Sequence, residues 1–573
     1  MQQRVLAFLA AAIIFATCCA GLGHLPLLAP DEGRNAEVGR EMSASGAWLV
    51  PTYNGVDYLD KPAFYFKTVA LSLALFGNNE TAARLPSAIF GVALAGMVFL
   101  FCRKVHGTRC GLMAAIIAAS MPLFLAYART VIFDIVLGFF VCGAIFAAYL
   151  AEQAEGQTRR NWYMLGAASA GLGTLVKGPV GFLIPILVLL IFYRVERREG
   201  AWKRLLSPLN IVLFFGVTLP WFVGLCLAHR DFLHYGLVEE SFNRFTTSKK
   251  FHRSEPFYFY PLIVASTCLP WSMLMPEAVV ASWKQRWAKH PADRLCLVWF
   301  FVVVIFFSLS QSKLPQYILS TAVAGGILLA RLFNKALETP HSLPARVIGR
   351  GTLAFALVCI LAALLVGVAG THAGALAKPL HVTPEEAEPL GRAALPMAAA
   401  AAAFGILGIG ARISRSPALC FLCLALFVPV CGTFSFGLLK PIFEAKSGRS
   451  VAEKMPPLSP DTELACLECF PNGLPFYLGR TATLISRNGA ELTSNYIIAT
   501  LEKNREWPKQ IVPVADFDAW LGARRKPVYL IVRKKGLQTL ETLATSRGVP
   551  IQQLARELWG AQLPPLQPLT RAP

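Results

Sequence analysis

Apolar segments long enough to cross hydrocarbon recur along three quarters of this 573-residue chain, and that recurrence restricts the fold more than any single motif. The segments are residues 5–27, 83–102, 111–128, 131–150, 163–192 (read as two spans), 209–228, 259–279, 293–310, 317–333, 350–370, 394–411 and 417–438. A spanning helix needs about 20 apolar residues, so the expectation is an all-α polytopic membrane protein of about 13 transmembrane helices. Hydrocarbon offers no partner to a bare peptide group, which makes helices the only reading for so many separate spans. Composition agrees, because 55% of the residues are hydrophobic and only 15% charged, a balance that excludes a set of ordinary soluble domains.

The short loops set the orientation, since Lys and Arg collect on the cytoplasmic side. With the N-terminus inside, the basic stretches at 103–109, 159–160, 193–204, 284–294, 331–335 and 411–415 all fall on that side. Residues 28–80, 229–258, 311–316, 371–393 and the last 130 or so then lie outside, facing the periplasm of a bacterial inner membrane. The net charge of +20 follows from the same bias and gives no reason to invoke nucleic acid. The first apolar run, after MQQR, reads as an anchored span rather than a removable signal, for want of a cleavage site.

Composition shifts after Pro441, which suggests a membrane domain over 1–440, carrying the external loop 28–80, and a small periplasmic α/β domain over 441–573. Residues 482–487 and 527–534 read as strands, 537–548 and 551–560 as short helices. Twelve of the fourteen cysteines lie in or beside apolar spans, where a thiol is a small hydrophobe. Cys466 and Cys469 form a C-x2-C in the external tail, open to a disulfide, to two free thiols or, with further ligands, to a metal.

Polar residues concentrate in the external loops. In PDEGRNAEVGREM (30–42), Glu32, Asn35, Ala36, Gly39 and Arg40 recur at helical spacing with Val38 and Met42 as the apolar side, suggesting a short helix at the membrane surface. Asp31, near its start, is either a cap or a functional carboxylate. Asp60 and Lys61, before Pro62 and an aromatic run, form either a structural ion pair or a phosphate-holding lysine with a carboxylate that orients it or helps bind a cation. Asp134 and Lys177 lie at span ends, where an ionisable group pairs, lines a cavity or acts; Arg129 is the near candidate partner for Asp134, and snorkelling the alternative for Lys177. Arg244, Lys249, Lys250, His252 and Arg253 precede the aromatic belt at 256–261, and Lys313 and Tyr317 share a second external turn. Cations beside aromatics at the interface suit an anionic amphiphile; contact with anionic lipid head groups is the plainer reading.

The run PDEGRNAEVGREMSASGAWLVPTYNGVDYLDKPAFYF, followed by ARLPS, VKGP, FNRF, PFYFYP and SKLPQYIL, resembles the GT-C fold, family 39-like glycosyltransferases. It resembles most the branch that transfers aminoarabinose from an undecaprenyl-phosphate carrier to lipid A, and more distantly the protein O-mannosyltransferases. The resemblance implies sugar transfer at the periplasmic face by inverting displacement, with lipid A or another envelope glycan as acceptor. It assigns Lys61 to the donor phosphate, with Arg34, Lys177, Arg244, Lys313 and Tyr317 as helpers around donor and carrier. Asp31 becomes the base for a hydroxyl acceptor, and Asp60 orients the site or, with His252, approaches a divalent metal. A lipid or solute transporter, or a noncatalytic envelope scaffold, would share the spans; no internal repeat supports a transporter, and the informative residues gather on one face.

Overall fold

The computed structural model describes residues 3–236, 255–281, 290–339, 341–372, 384–503 and 506–565. They form two compact units, Met1–Leu22 with Arg84–Pro441 and Gly23–Ala83 with Ile442–Pro573. Residues 28–80, expected as a loop of the membrane domain, thus share the second unit with the C-terminal residues.

The first unit is helical. Among the described residues, seven helices are long and apolar enough to cross a membrane, or eight if the bent pair Thr108–Ala119 and Pro122–Ala128 counts as one span. The expected apolar segments coincide with helices, but Gln3–Cys18 and Val180–Val195, of 16 residues each, are shorter than a full span. The segment 259–279 is a helix over Phe259–Thr267 followed by a 3-10 turn at Trp271–Met273. The segment 163–192, expected as two spans, is two helices, Gly156–Lys177 and Val180–Val195, neither of which is among the seven. Gly178, at φ +75°, ends the first, and Pro179 opens the second, a break only glycine adopts without strain.

Helices Asp134–Ala151 and Leu319–Glu338 are buried on nearly every side. By contrast Leu227, Leu364, Leu365, Val368 and Ile406 stand exposed on outer helices, surface that water would not tolerate but lipid does. Small residues set the close helix contacts, because lipid gives helices no hydrophobic reason to associate and backbone approach does. A Cβ at Gly181 would lie 2.2 Å from the carbonyl carbon of Gly173, and one at Gly408 would lie 2.8 Å from Ala356 Cβ.

The second unit is built on a six-stranded sheet in the order Ile511–Pro513, Thr483–Ser486, Glu463–Leu467, Val528–Arg533, Leu558–Leu563, Gln552–Ala555. Its strands are β3 (Glu463–Leu467), β4 (Thr483–Ser486), β5 (Ile511–Pro513), β6 (Val528–Arg533), β7 (Gln552–Ala555) and β8 (Leu558–Leu563). The strands β5, β4, β3 and β6 run parallel, joined through the short helices Leu474–Leu478, Asn495–Lys503 and Phe517–Gly522. Val528–Val532 are all buried, as a central parallel strand covered on both faces requires. The core combines Ala465, Leu467, Ile485, Leu530 and Val532 with Phe517 and Leu540. Residues 482–487, 527–534 and 537–548 take the expected states; 551–560, expected as a helix, is a hairpin instead. There β8 pairs antiparallel with β6, Val532 opposite Trp559 and Val528 opposite Leu563, so the open edge of β6 overrides a weak local helical period. Cys466 and Cys469 are buried and unbridged, and Cys469 Sγ lies 3.5 Å from the Ile531 carbonyl.

Candidate active site

A small hairpin, β1 (Thr52–Tyr53) and β2 (Val56–Asp57), supports the acidic loop of the second unit. Asn54 and Gly55 turn it with φ of 54° and 70°, the positive pair that a two-residue Asn-Gly turn demands. This signal stands in the sequence and was not read there. The buried Asn54 amide donates to the Ala482 carbonyl and its oxygen accepts from Ala482 N–H, both at 2.8 Å, while Tyr53 Oη donates to Asn472 Oδ1 at 2.5 Å. Glu41 accepts from Thr52 Oγ1 at 2.6 Å and from Gly55 N–H at 3.1 Å. The hairpin is therefore clamped from both sides, and the chain leaving it delivers Tyr58, Asp60 and Lys61.

The helix expected over 30–42 is Asp31–Ser45, buried from Asn35 to Met42 rather than lying on a surface, with Pro30 rather than Asp31 in the cap position. Its first turn lies on the turn around Gly473, for a Cβ at Gly33 would come 2.7 Å from Gly473 Cα. Arg34 gathers this site. Its guanidinium donates to Asp31 Oδ1 at 2.5 Å and to the carbonyl and hydroxyl of Thr493 at 2.9 and 2.7 Å, and it lies 5.7 Å from the Tyr58 ring centroid. Burial alone would lower its pKa, but Tyr58, Asp31 and Asp60 together hold it above the ordinary arginine value. Asp60 is buried and its Oδ1 accepts from Tyr496 N–H at 2.9 Å. The half-buried Lys61 donates to the Asp60 main-chain carbonyl at 2.7 Å. Asp31 remains half exposed. Thr493 and Tyr496 had no local signal, because each lies more than 430 residues from its partner. Arg40 and Glu37 form a bidentate pair at 2.6 and 2.7 Å in the same helix. Burial pushes the Glu37 carboxyl up to about 8 against the opposing pull of Arg40.

In the first unit, Lys177, Asp134 and Tyr317 come together. Lys177, the last residue of its helix, donates to Asp134 Oδ1 at 2.5 Å and sits 4.7 Å from the Tyr317 ring centroid and 5.0 Å from that of Phe133. Asp134 opens the helix Asp134–Ala151, where the amide dipoles favour a carboxylate. Its Oδ2 is buried and makes no hydrogen bond among the described residues. The partner expected for Asp134 is thus corrected: Arg129 donates to the carbonyls of Ala16, Thr17 and Ala20 at the end of the first helix, and Lys177 pairs instead of snorkelling. Buried Lys313 donates to the Glu255 carbonyl at 2.9 Å, and Tyr127 donates to Gln316 at 2.9 Å, holding the turn that carries Tyr317.

Arg244, Lys249, Lys250, His252 and Arg253 lie outside the described residues. Among the described residues no three His, Cys, Asp or Glu side chains gather as a metal site, and Asp60 already serves the Tyr496 amide.

Residues 60–223 match the family model of dolichyl-phosphate-mannose-protein mannosyltransferases, a stretch that includes Asp60, Lys61, Asp134 and Lys177. An undecaprenyl phosphate-alpha-4-amino-4-deoxy-L-arabinose arabinosyl transferase of Erwinia tasmaniensis is 30% identical over 402 residues, which cover 69% of this chain and 71% of that protein. The chain belongs to this arabinosyl transferase family. The family member of Enterobacter sp. strain 638 is 30% identical over 342 residues, 59% of this chain; here the match spans only 60% of the relative's length. The crystal structure of ArnT from Cupriavidus metallidurans bound to undecaprenyl phosphate superposes with a TM-score of 0.81 over 97% of both chains at 24% identity. The apo structure of the same protein gives 0.76 over 97% of both chains at 26% identity.

Proposed function

We propose that this chain transfers 4-amino-4-deoxy-L-arabinose from an undecaprenyl-phosphate carrier to lipid A or another acceptor at the periplasmic face of the bacterial inner membrane. The reading includes about 13 spans with the external loops on the periplasmic side. The observation that carries it is the match to an aminoarabinose transferase over 71% of that relative's length.

The acceptor oxygen attacks the anomeric carbon from the face opposite the carrier, the bond from that carbon to the phosphate oxygen breaks, and undecaprenyl phosphate leaves with the electron pair. A fixed cation at the departing phosphate lowers this barrier most, and Lys61 is the residue assigned to it. By the family resemblance, Arg34, Lys177, Arg244, Lys313 and Tyr317 are assigned to binding donor and carrier. Asp31 takes the proton of a hydroxyl acceptor and has less to do for a phosphate acceptor, already anionic. Its partial exposure leaves it within reach of an acceptor.

The test is the initial transfer rate of purified protein with one defined donor and with both acceptor types. Lys61→Ala should lose about 100- to 1000-fold in rate while remaining folded, the usual effect of removing a donor aimed at developing charge. Asp31→Asn should be severe with a hydroxyl acceptor and mild with a phosphate acceptor. Near-wild-type transfer by folded Lys61→Ala would remove the phosphate role. Movement of the labelled lipid without a new covalent product would replace the whole reading with a transporter.

A further inference from the structure

A cleft of about 330 Å³ in the second unit belongs to none of the assignments above. It is lined by Asn78, Asn79, Glu80, Arg449 and the stretch from Phe476 to Gly479. That volume is at the small end of ligand pockets, room for a head group rather than for an extended glycan. At its centre Glu80 Oε1 accepts from both Arg449 Nη1 and Tyr477 Oη, each at 3.2 Å, and Tyr477 Oη accepts from Leu27 N–H at 2.8 Å. Arg449 Nε is held by Glu453 at 2.8 Å, and Asn79 by the backbone of Phe76 and Ala82. Three groups in the wall make no hydrogen bond among the described residues: Arg449 Nη2, Glu80 Oε2 and the Asn78 amide. Arg449 is 42% exposed, so its guanidinium is open to a ligand.

Opposite charges so close together reject a purely anionic ligand through Glu80 and a purely cationic one through Arg449. A ligand carrying both signs on neighbouring atoms satisfies both. Position adds the second requirement. The turn 77–79 joins helix Phe64–Phe76, which leaves Leu71, Leu75 and Phe76 exposed, to Glu80–His106, a helix apolar enough to cross a membrane. Glu80 therefore stands at the depth where a span meets the head groups, beside apolar surface fit for acyl chains. We propose that this cleft binds the head group of a membrane lipid in which a phosphate neighbours a primary ammonium. The phosphate sits on Arg449 Nη2 and the Asn78 amide, and the ammonium on Glu80 Oε2. A phosphoethanolamine lipid carries that chemistry.

Full-length protein in detergent micelles is titrated by native mass spectrometry with phosphatidylethanolamine, phosphatidylglycerol and phosphatidylcholine. Phosphatidylethanolamine should be retained about tenfold more tightly than the glycerol and choline lipids, the scale of a hydrogen bond to a charged group. Asn78→Trp, which fills the cleft from an exposed position, should abolish the preference without changing the thermal unfolding midpoint. Arg449→Gln should do the same; if it fails to fold after losing Glu80 and Glu453, Asn78→Trp decides alone. Equal retention of all three lipids, or a preference that survives Asn78→Trp, overturns the proposal.

Discussion

At the residue scale the pair of Lys177 and Asp134 shows how a charge is kept inside a membrane unit: one lysine closes a helix, one carboxylate opens another, and two aromatic rings cover the ammonium. Breaking a buried pair on one side leaves an uncompensated charge and costs about 3–5 kcal/mol, whereas neutralising both sides costs far less. Lys177→Met alone should therefore reduce the yield of monodisperse protein, and Asp134→Asn added to it should restore the yield. A double variant no better than the single one would mean that the pair is not coupled. Glu37 gives a pH dependence. With its carboxyl raised from 4.5 to about 8 by burial, the folded chain holds a proton that the unfolded chain has released. Its contribution to stability is fully present below about 4.5, the unfolded value, and is lost as pH rises through about 8. The thermal midpoint should fall between pH 6 and pH 9 in wild type and fall less in Glu37→Gln; identical slopes would place the pair's Glu37 fully ionised. The existence of charges at 134 and 177 was legible because ionisable groups in apolar segments stand out. Their pairing was not, since 43 residues separate them and Arg129 lay closer in the chain.

Elements carry the next level. The Asn54-Gly55 turn fixes the hairpin, and the Asn54 amide exchanges two hydrogen bonds with Ala482. Asn54→Ala removes both and leaves a buried peptide N–H and carbonyl without partners, at about 1–3 kcal/mol for each buried group left unsatisfied. The thermal midpoint should drop measurably and transfer should fall with it; an unchanged midpoint would mean that water replaces the amide. In the membrane unit, Gly181→Leu pushes a side chain into the backbone at Gly173, and the folded fraction in size-exclusion chromatography should collapse. The hairpin at 551–560 shows where local reading reaches its limit: ten residues of ambiguous period take the state that the unpaired edge of β6 selects.

At the scale of the whole molecule, topology tests the orientation. Reporters fused after Tyr65 and Asn488 should both face the periplasm, and reporters within 193–204 and 284–294 the cytoplasm, by the bias of basic residues in short loops. Opposite labelling of the first loop and the C-terminal residues would refute an odd number of spans. The sequence by itself determined that the chain is a polytopic helical membrane protein, because apolar length and loop charge are properties of consecutive residues. It also carried the family, through a run of residues contiguous between 30 and 66. Only the tertiary structure decided that this run shares a unit with residues 442–573, that Thr493 holds Arg34, and that the Tyr496 amide holds Asp60. Those partners are single hydrogen-bonding groups more than 430 residues away. No periodicity records them, because a hydrogen bond depends on where the backbone has been brought and not on what lies beside it in the chain.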